Sequence, residues 1–177
     1  MNIQIGAKPD SGFDDPIGML KDCHRRIEHF LKFISTVVER AHGRSLNFEE
    51  RSAVESALNY FRVGGQRHTA DEEETLFPRM REDGALAKLP ELAELEGEHR
   101  EANELHQAVE ELYLTWIKYG QLSEEDEKHL LLATQRLQAL YAEHIQMEEN
   151  IVFPRAAEAF DAKTIALIGE EFRARRA

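Results

Sequence analysis

The chain has 177 residues, 42% hydrophobic and 32% charged, with a formal net charge of −12. That length and balance describe one folded domain large enough for a real core, and the acidic excess leaves no basic stripe with which to bind a nucleic acid. No run approaches the ~18 apolar residues that cross a membrane, no basic segment followed by an apolar one opens the chain, and the single cysteine, Cys23, allows neither an internal disulfide nor a thiolate metal cluster. The expectation is a cytoplasmic protein with neither membrane nor nucleic acid as partner.

Taken in chain order, the hydrophobic periodicity is helical throughout, with little strand signal. Residues 1–13 read as an irregular arm. Asp14, Asp15 and Pro16 suit the start of a first helix, whose apolar stripe is Ile17, Leu20, His24, Ile27, Leu31, Ile34, Val38 and Ala41. Gly43 to Asn47 breaks it from a second, with Val54, Leu58, Phe61, Gly65, His68, Glu72 and Leu76 on one face. Asp83-Gly84 precedes a third, striped by Leu92, Leu95, His99, Ala102, His106, Val109, Tyr113 and Trp116. Gly120 to Ser123, with Ser123 as N-cap, precedes a fourth, striped by Leu130, Ala133, Leu137, Leu140, His144, Glu148 and Ile151. The expected fold is all-α, an up-down-up-down four-helix bundle over residues 14–160, with residues 161–177 forming a short C-terminal helix and tail.

Within this pattern one stretch occurs twice. His68-Thr69-Ala70-Asp71-Glu72-Glu73 and His144-Ile145-Gln146-Met147-Glu148-Glu149 share His-x-x-x-Glu-Glu, and each is followed at the same offset by Phe-Pro, Phe77-Pro78 and Phe153-Pro154. Each is preceded by a lone histidine at nearly the same distance: His24 lies 44 residues before His68, and His99 lies 45 before His144. The spacing His-x-x-x-Glu alone is weak. With eight histidines and 26 glutamates about one such pair arises by chance, and the chain has four. The repetition is the stronger signal, as is the placing of the turns. Midpoints of the intervals between these residues fall near 46, 84 and 121, all in turns, so antiparallel helices would carry His24, His68, Glu72, His99, His144 and Glu148 to one level. A metal-free bundle would leave these groups buried without partners at a cost of several kcal/mol each. A pair of metal ions would neutralise the carboxylates and occupy the imidazole lone pairs.

The order His, His-x-x-x-Glu, His, His-x-x-x-Glu resembles the hemerythrin-like (HHE cation-binding) family over residues 15 to 157. It differs from the Glu-x-x-His of ferritin-like di-iron proteins. The resemblance includes Glu73, Glu98, Glu149 and both Phe-Pro pairs. It implies two non-haem irons, with Glu72 and Glu148 bridging them, His24 and His68 on one, and His99 and His144 on the other. Imidazole and carboxylate donors also admit manganese or zinc. Oxygen-carrying members place a further histidine where this chain has Asn103, and the equivalent position of the first helix is Glu28, a candidate extra carboxylate or a solvated one. A four-His, two-Glu set is similar to that of members that repair damaged iron centres.

The implied function is binding or sensing of a small diatomic ligand, oxygen or nitric oxide, or of iron. The alternative is redox chemistry, meaning peroxide or nitric oxide handling or repair of iron centres. A bundle with an incidental metal is the third reading. Gly64-Gly65, one turn before His68, reads either as close packing or as an opening toward the metals. Tyr141 reads as a core residue or as a hydrogen-bond donor to the site, His106 as a core or supporting histidine, and Cys23 as a small buried hydrophobe pointing elsewhere. His29, His42 and His129 read as surface residues.

Overall fold

The computed structural model describes residues 10–177, so most of the expected N-terminal arm lies outside the described residues. Among those described there is no strand, and five helices follow one another: α1 (Pro16–Ala41), α2 (residues 48–82), α3 (Glu91–Tyr119), α4 (residues 124–159) and α5 (Ala162–Ala174). Among the described residues no helix is long and apolar enough to cross a membrane.

Local chemistry sets the ends of these helices. Asp15 accepts a hydrogen bond from the Gly18 amide ahead of Pro16. Asn47 and Glu50 form a reciprocal capping box. Ser123 accepts from the Asp126 amide at the start of α4, and Asp161 from the Thr164 amide at the start of α5. Each satisfies amides that the first helical turn leaves free. The α3 helix stops at Gly120, whose φ of 73° is left-handed backbone that a side chain would strain.

Two helices are interrupted in a way the apolar stripe does not reveal. Single π-helical turns fall at Phe61–Gly65 and Glu72–Leu76 in α2 and at Glu148–Val152 in α4. The last two end immediately before Phe77-Pro78 and Phe153-Pro154. Proline has no amide hydrogen for the carbonyl four residues back, and the wider turn accommodates that missing bond. One extra residue also rotates the helix face. Beyond Glu148 the inward residues are therefore Val152, Phe153 and Ala156, whereas Ile151, expected on the stripe, is half-buried. Well before that turn, in regular helix, Thr134 rather than Ala133 faces inward, its hydroxyl donating to the Leu130 carbonyl.

The α4 helix packs against α1 and α3, and α1 packs against α2. The apolar core is divided in two. One cluster, around Ile34, Tyr113, Trp116, Leu130 and Leu137, lies toward the turns at 42–47 and 120–123, where the Trp116 indole donates to the Arg44 carbonyl at 2.8 Å. The other, around Leu20, Leu76, Phe77, Leu92, Phe153 and Phe172, includes the α5 face. Between them, along all four long helices, sit the histidines and glutamates singled out by the repeat.

Charge fastens α5 to the middle of α2. Asp71, fully buried, takes Arg175 and Arg176 at 2.5 Å each, and Glu171 takes Arg79 at 2.5 Å and the Thr75 hydroxyl at 3.0 Å. Backbone contact on the other side of α5 is equally close: a Cβ at Gly169 would meet the Phe13 carbonyl oxygen at 1.9 Å. The two ways of breaking the arginine clamp should differ. Replacing both Arg175 and Arg176 by Met strands a buried carboxylate and should cost about 3–5 kcal/mol. Asp71→Asn keeps hydrogen-bond capacity and lets the partly exposed guanidiniums reach water, and should cost about 1–3 kcal/mol. Urea unfolding of the metal-free variants checks this, and the opposite ranking would overturn it.

Candidate metal centre

All six residues of the repeat are buried: His24, His68, Glu72, His144 and Glu148 are 2% exposed or less, and His99 is 7% exposed. They form two overlapping groups, His24–His68–Glu72–Glu148 and Glu72–His99–His144–Glu148. Within each group one nitrogen or oxygen per residue lies within 4.8 Å of all the others. The two glutamates belong to both groups. Glu148 directs one oxygen to His24 Nε2 at 3.0 Å and the other to His144 Nε2 at 3.3 Å. Glu72 does the same with His68 and His99, at 3.4 Å each. Each carboxylate thus spans one histidine of either group.

The imidazoles are aimed by an outer ring of carboxylates. Glu149 lies 2.8 Å from His24 Nδ1, Glu73 2.8 Å from His99 Nδ1, and Glu98 2.8 Å from His144 Nδ1. An Nδ1–H donated to a carboxylate fixes the tautomer and leaves the Nε2 lone pair facing the centre. Two of these contacts are exchanged between the repeats, since Glu73 serves the histidine of the second copy and Glu149 that of the first. Phe153 stacks on His24 with ring centroids 5.5 Å apart, and Phe77 lies parallel to His99 at 6.4 Å. The Phe-Pro pair after each π-turn therefore packs the lone histidine of the other copy.

The donor set fits metal ions. His24 Nε2, both nitrogens of His68 and all four oxygens of Glu72 and Glu148 are buried with no hydrogen bond of good geometry, the close imidazole–carboxylate approaches included, a condition that costs free energy unless something else satisfies them. His99 Nε2 and His144 Nε2 face one another at 3.1 Å. Four imidazole nitrogens and two carboxylates converging on two points suit first-row divalent ions.

Other candidates stand apart. Glu28 is exposed on α1, and His29, His42 and His129 lie on the surface. Asn103 is exposed and lines a cavity of about 610 Å³ beside the cluster. His106 lies in the same cavity, its Nε2 3.2 Å from the Tyr141 hydroxyl. Cys23 is buried, with Arg26 donating to its sulfur at 3.5 Å. The outer carboxylates Glu73, Glu98 and Glu149 stand beside the repeated residues in sequence, but their role depends on contacts between helices. The sequence signal of the π-turns at Glu72 and Glu148 is the proline that follows each inside an otherwise helical pattern; the turn at Phe61–Gly65 has no such proline.

Burial and the nearby Glu148 carboxylate push Glu72 well above the usual carboxylate range. Burial acts on Glu148 too, but His144 and His24 outweigh it and hold Glu148 well below that range. In turn Glu148 raises His24 and His144 above 6.5 against the effect of burial, whereas burial pushes His68 well down. Protons and metal therefore compete for the same atoms. Stabilisation from the raised histidines is complete below the unfolded value of 6.5 and is lost as pH rises through their folded values. Above 6.5, His68 is neutral both folded and unfolded and adds no slope. The metal-free protein should melt at lower temperature as pH rises above 6.5, and the metal-loaded protein at higher temperature, because binding displaces those protons. Melting curves of both forms across that range test this, and parallel slopes would refute it.

Residues 15–156 match the hemerythrin HHE cation-binding domain. The chain matches no curated protein. The matched span takes in all six residues of the buried cluster and both Phe-Pro turns, and the chain belongs to the hemerythrin family of HHE cation-binding domains.

Proposed function

We propose that this protein is a non-haem di-iron binding protein that takes up a small diatomic ligand, oxygen or nitric oxide, in an up-down-up-down four-helix bundle. His24 and His68 would hold one iron, His99 and His144 the other, and Glu72 and Glu148 both. The observation that carries this reading is the sharing of each carboxylate between the two histidine pairs, together with the unpartnered buried atoms at the centre. Bound iron would supply the affinity for the diatomic ligand and any electron transfer to it.

The chain's own residues supply access and orientation. The cavity of about 610 Å³ is lined by Phe61, Gly65, Ala102, Asn103 and Tyr141 and reaches His99, the most exposed of the six. Gly64 and Gly65 have separate roles. A Cβ at Gly64 would press on the Tyr60 ring at 2.8 Å, so that glycine permits packing within its own helix. A Cβ at Gly65 would meet only Phe61, at 3.9 Å, and faces the cavity. Side chains longer than alanine at 65 would fill the route without displacing backbone.

A second reading, redox turnover of peroxide or nitric oxide or repair of iron centres, is favoured by the Tyr141–His106 pair at the cavity wall. Burial pushes the His106 imidazole down to about 4 and the Tyr141 hydroxyl well up, so both are neutral and share a hydrogen bond at 3.2 Å. A neutral hydroxyl and imidazole fixed at the cavity wall can hydrogen-bond a peroxide or another polar molecule that enters.

Visible spectra of the reduced, iron-loaded protein before and after adding oxygen separate the two readings. A new charge-transfer band that vanishes on deoxygenation supports reversible binding, and one-way conversion to a diferric spectrum supports redox chemistry. Failure to load two irons per chain would overturn the proposal. Gly65→Leu should retain iron and slow association of nitric oxide in stopped-flow mixing; an unchanged rate would exclude the Gly65 route.

A further inference from the structure

The repeat makes the two halves of the centre nearly equivalent, and the departure from equivalence is specific. The His24 and His68 rings stand 4.9 Å apart and the His99 and His144 rings 4.6 Å apart. His24 and His99, the lone histidines, each have an outer carboxylate on Nδ1 from the opposite copy. His144 has Glu98, the residue immediately before the lone histidine His99. The corresponding residue for His68 is the one immediately before His24, which is Cys23. No carboxylate takes its place: His68 Nδ1 is buried without a partner, and the Cys23 sulfur is engaged by Arg26. The two helices lie side by side at this level, since the ring of His24, the residue after Cys23, stands 4.9 Å from that of His68.

We infer that the two metal positions are unequal in affinity, with the His24–His68 position the weaker and exchangeable one, because Cys23 stands where Glu98 orients the equivalent histidine of the other half. The inference rests on the dimetal reading above. An outer carboxylate that accepts from Nδ1 holds the ring toward the metal and makes its other nitrogen a better donor, and its removal typically lowers metal affinity 10–100-fold. His68 keeps neither advantage. The protein would then hold one divalent ion firmly at His99 and His144, next to the cavity, and gain or release the other as the free metal concentration changes. Glu98 and Cys23 are positioning residues in this scheme, acting through His144 and His68 rather than touching metal.

Anaerobic titration of the metal-free full chain with Co²⁺ against a competing chelator, followed by the visible ligand-field bands, tests the inference without any activity assay. Two ions should bind in separate steps, about 10–100-fold apart in affinity. Glu98→Ala, at a half-buried position that the fold tolerates, should lower the tighter step toward the weaker and leave the weaker unchanged. Cys23→Glu should raise the weaker step, and circular dichroism reports whether that larger side chain is accommodated. Two ions of indistinguishable affinity, or a Glu98→Ala variant that weakens both steps alike, would overturn the inequality while leaving the dimetal reading intact. Fewer than two cobalt ions per chain would instead remove the reading on which it rests.

Discussion

Two glutamates with no exposure to water and no cation from a side chain of fixed charge set the problem that the rest of the structure answers. Glu72 and Glu148 are surrounded by imidazoles, not by lysine or arginine. Burying a carboxylate is expensive unless it is paired, and two together repel one another as well. In the absence of metal, protons distributed over His24, His144 and Glu72 relieve part of this. Metal bound as proposed would take up the same atoms, so its occupancy would depend on pH as well as on free metal. The apolar clusters above and below this layer of the bundle keep water away from it.

Precision in this layer comes from its neighbours. A histidine ring rotates about two bonds, and burial alone does not aim it. Glu73, Glu98 and Glu149 do so from the outside, at the half-exposed edge where a carboxylate keeps part of its hydration. The π-turns at Glu72 and Glu148 are a second device. They rotate the helix after each glutamate so that Phe77 and Phe153 turn inward against the lone histidines while Pro78 and Pro154 are accommodated. Strain or widening in a helix is often found at functional positions, and here its consequence can be traced to particular contacts.

The C-terminal helix takes part in the same economy of charge. Asp71 is adjacent to Glu72 in the chain and equally buried, yet it points the other way, to Arg175 and Arg176. Its compensation is a fixed pair of cations, whereas that of Glu72 is labile. One short segment, His68 to Thr75, thus carries two residues of the cluster, a clamp to α5 through Asp71 and Thr75, and most of the turn that sets the following register. Damage to the clamp would reach the centre through that shared backbone.

Much was legible in the amino-acid order. The helices, their breaks near 43, 84 and 120, and the six histidines and glutamates of the buried layer follow from periodicity, capping residues and an internal repeat, all of which are local or nearly local properties of a chain. The family was legible as well, because the repeated motif is a pattern of residue types at fixed spacing. Three features were not. Glu73, Glu98 and Glu149 could be seen as neighbours of the cluster, but a carboxylate on another helix acquires its role only when packing carries it to an imidazole nitrogen. The inward shift from Ile151 to Val152 and Phe153 depends on one extra residue in a turn, which apolar spacing of three and four does not encode. The inequality between His68 and His144 rests on Cys23 and Glu98, each the residue before a lone histidine; their order shows that correspondence, but only packing shows that Glu98 meets an imidazole and Cys23 does not. Sequence determined which groups this protein buries and at what intervals; tertiary structure decided which of them face one another, because orientation is a property of contacts between helices and not of position along any one of them.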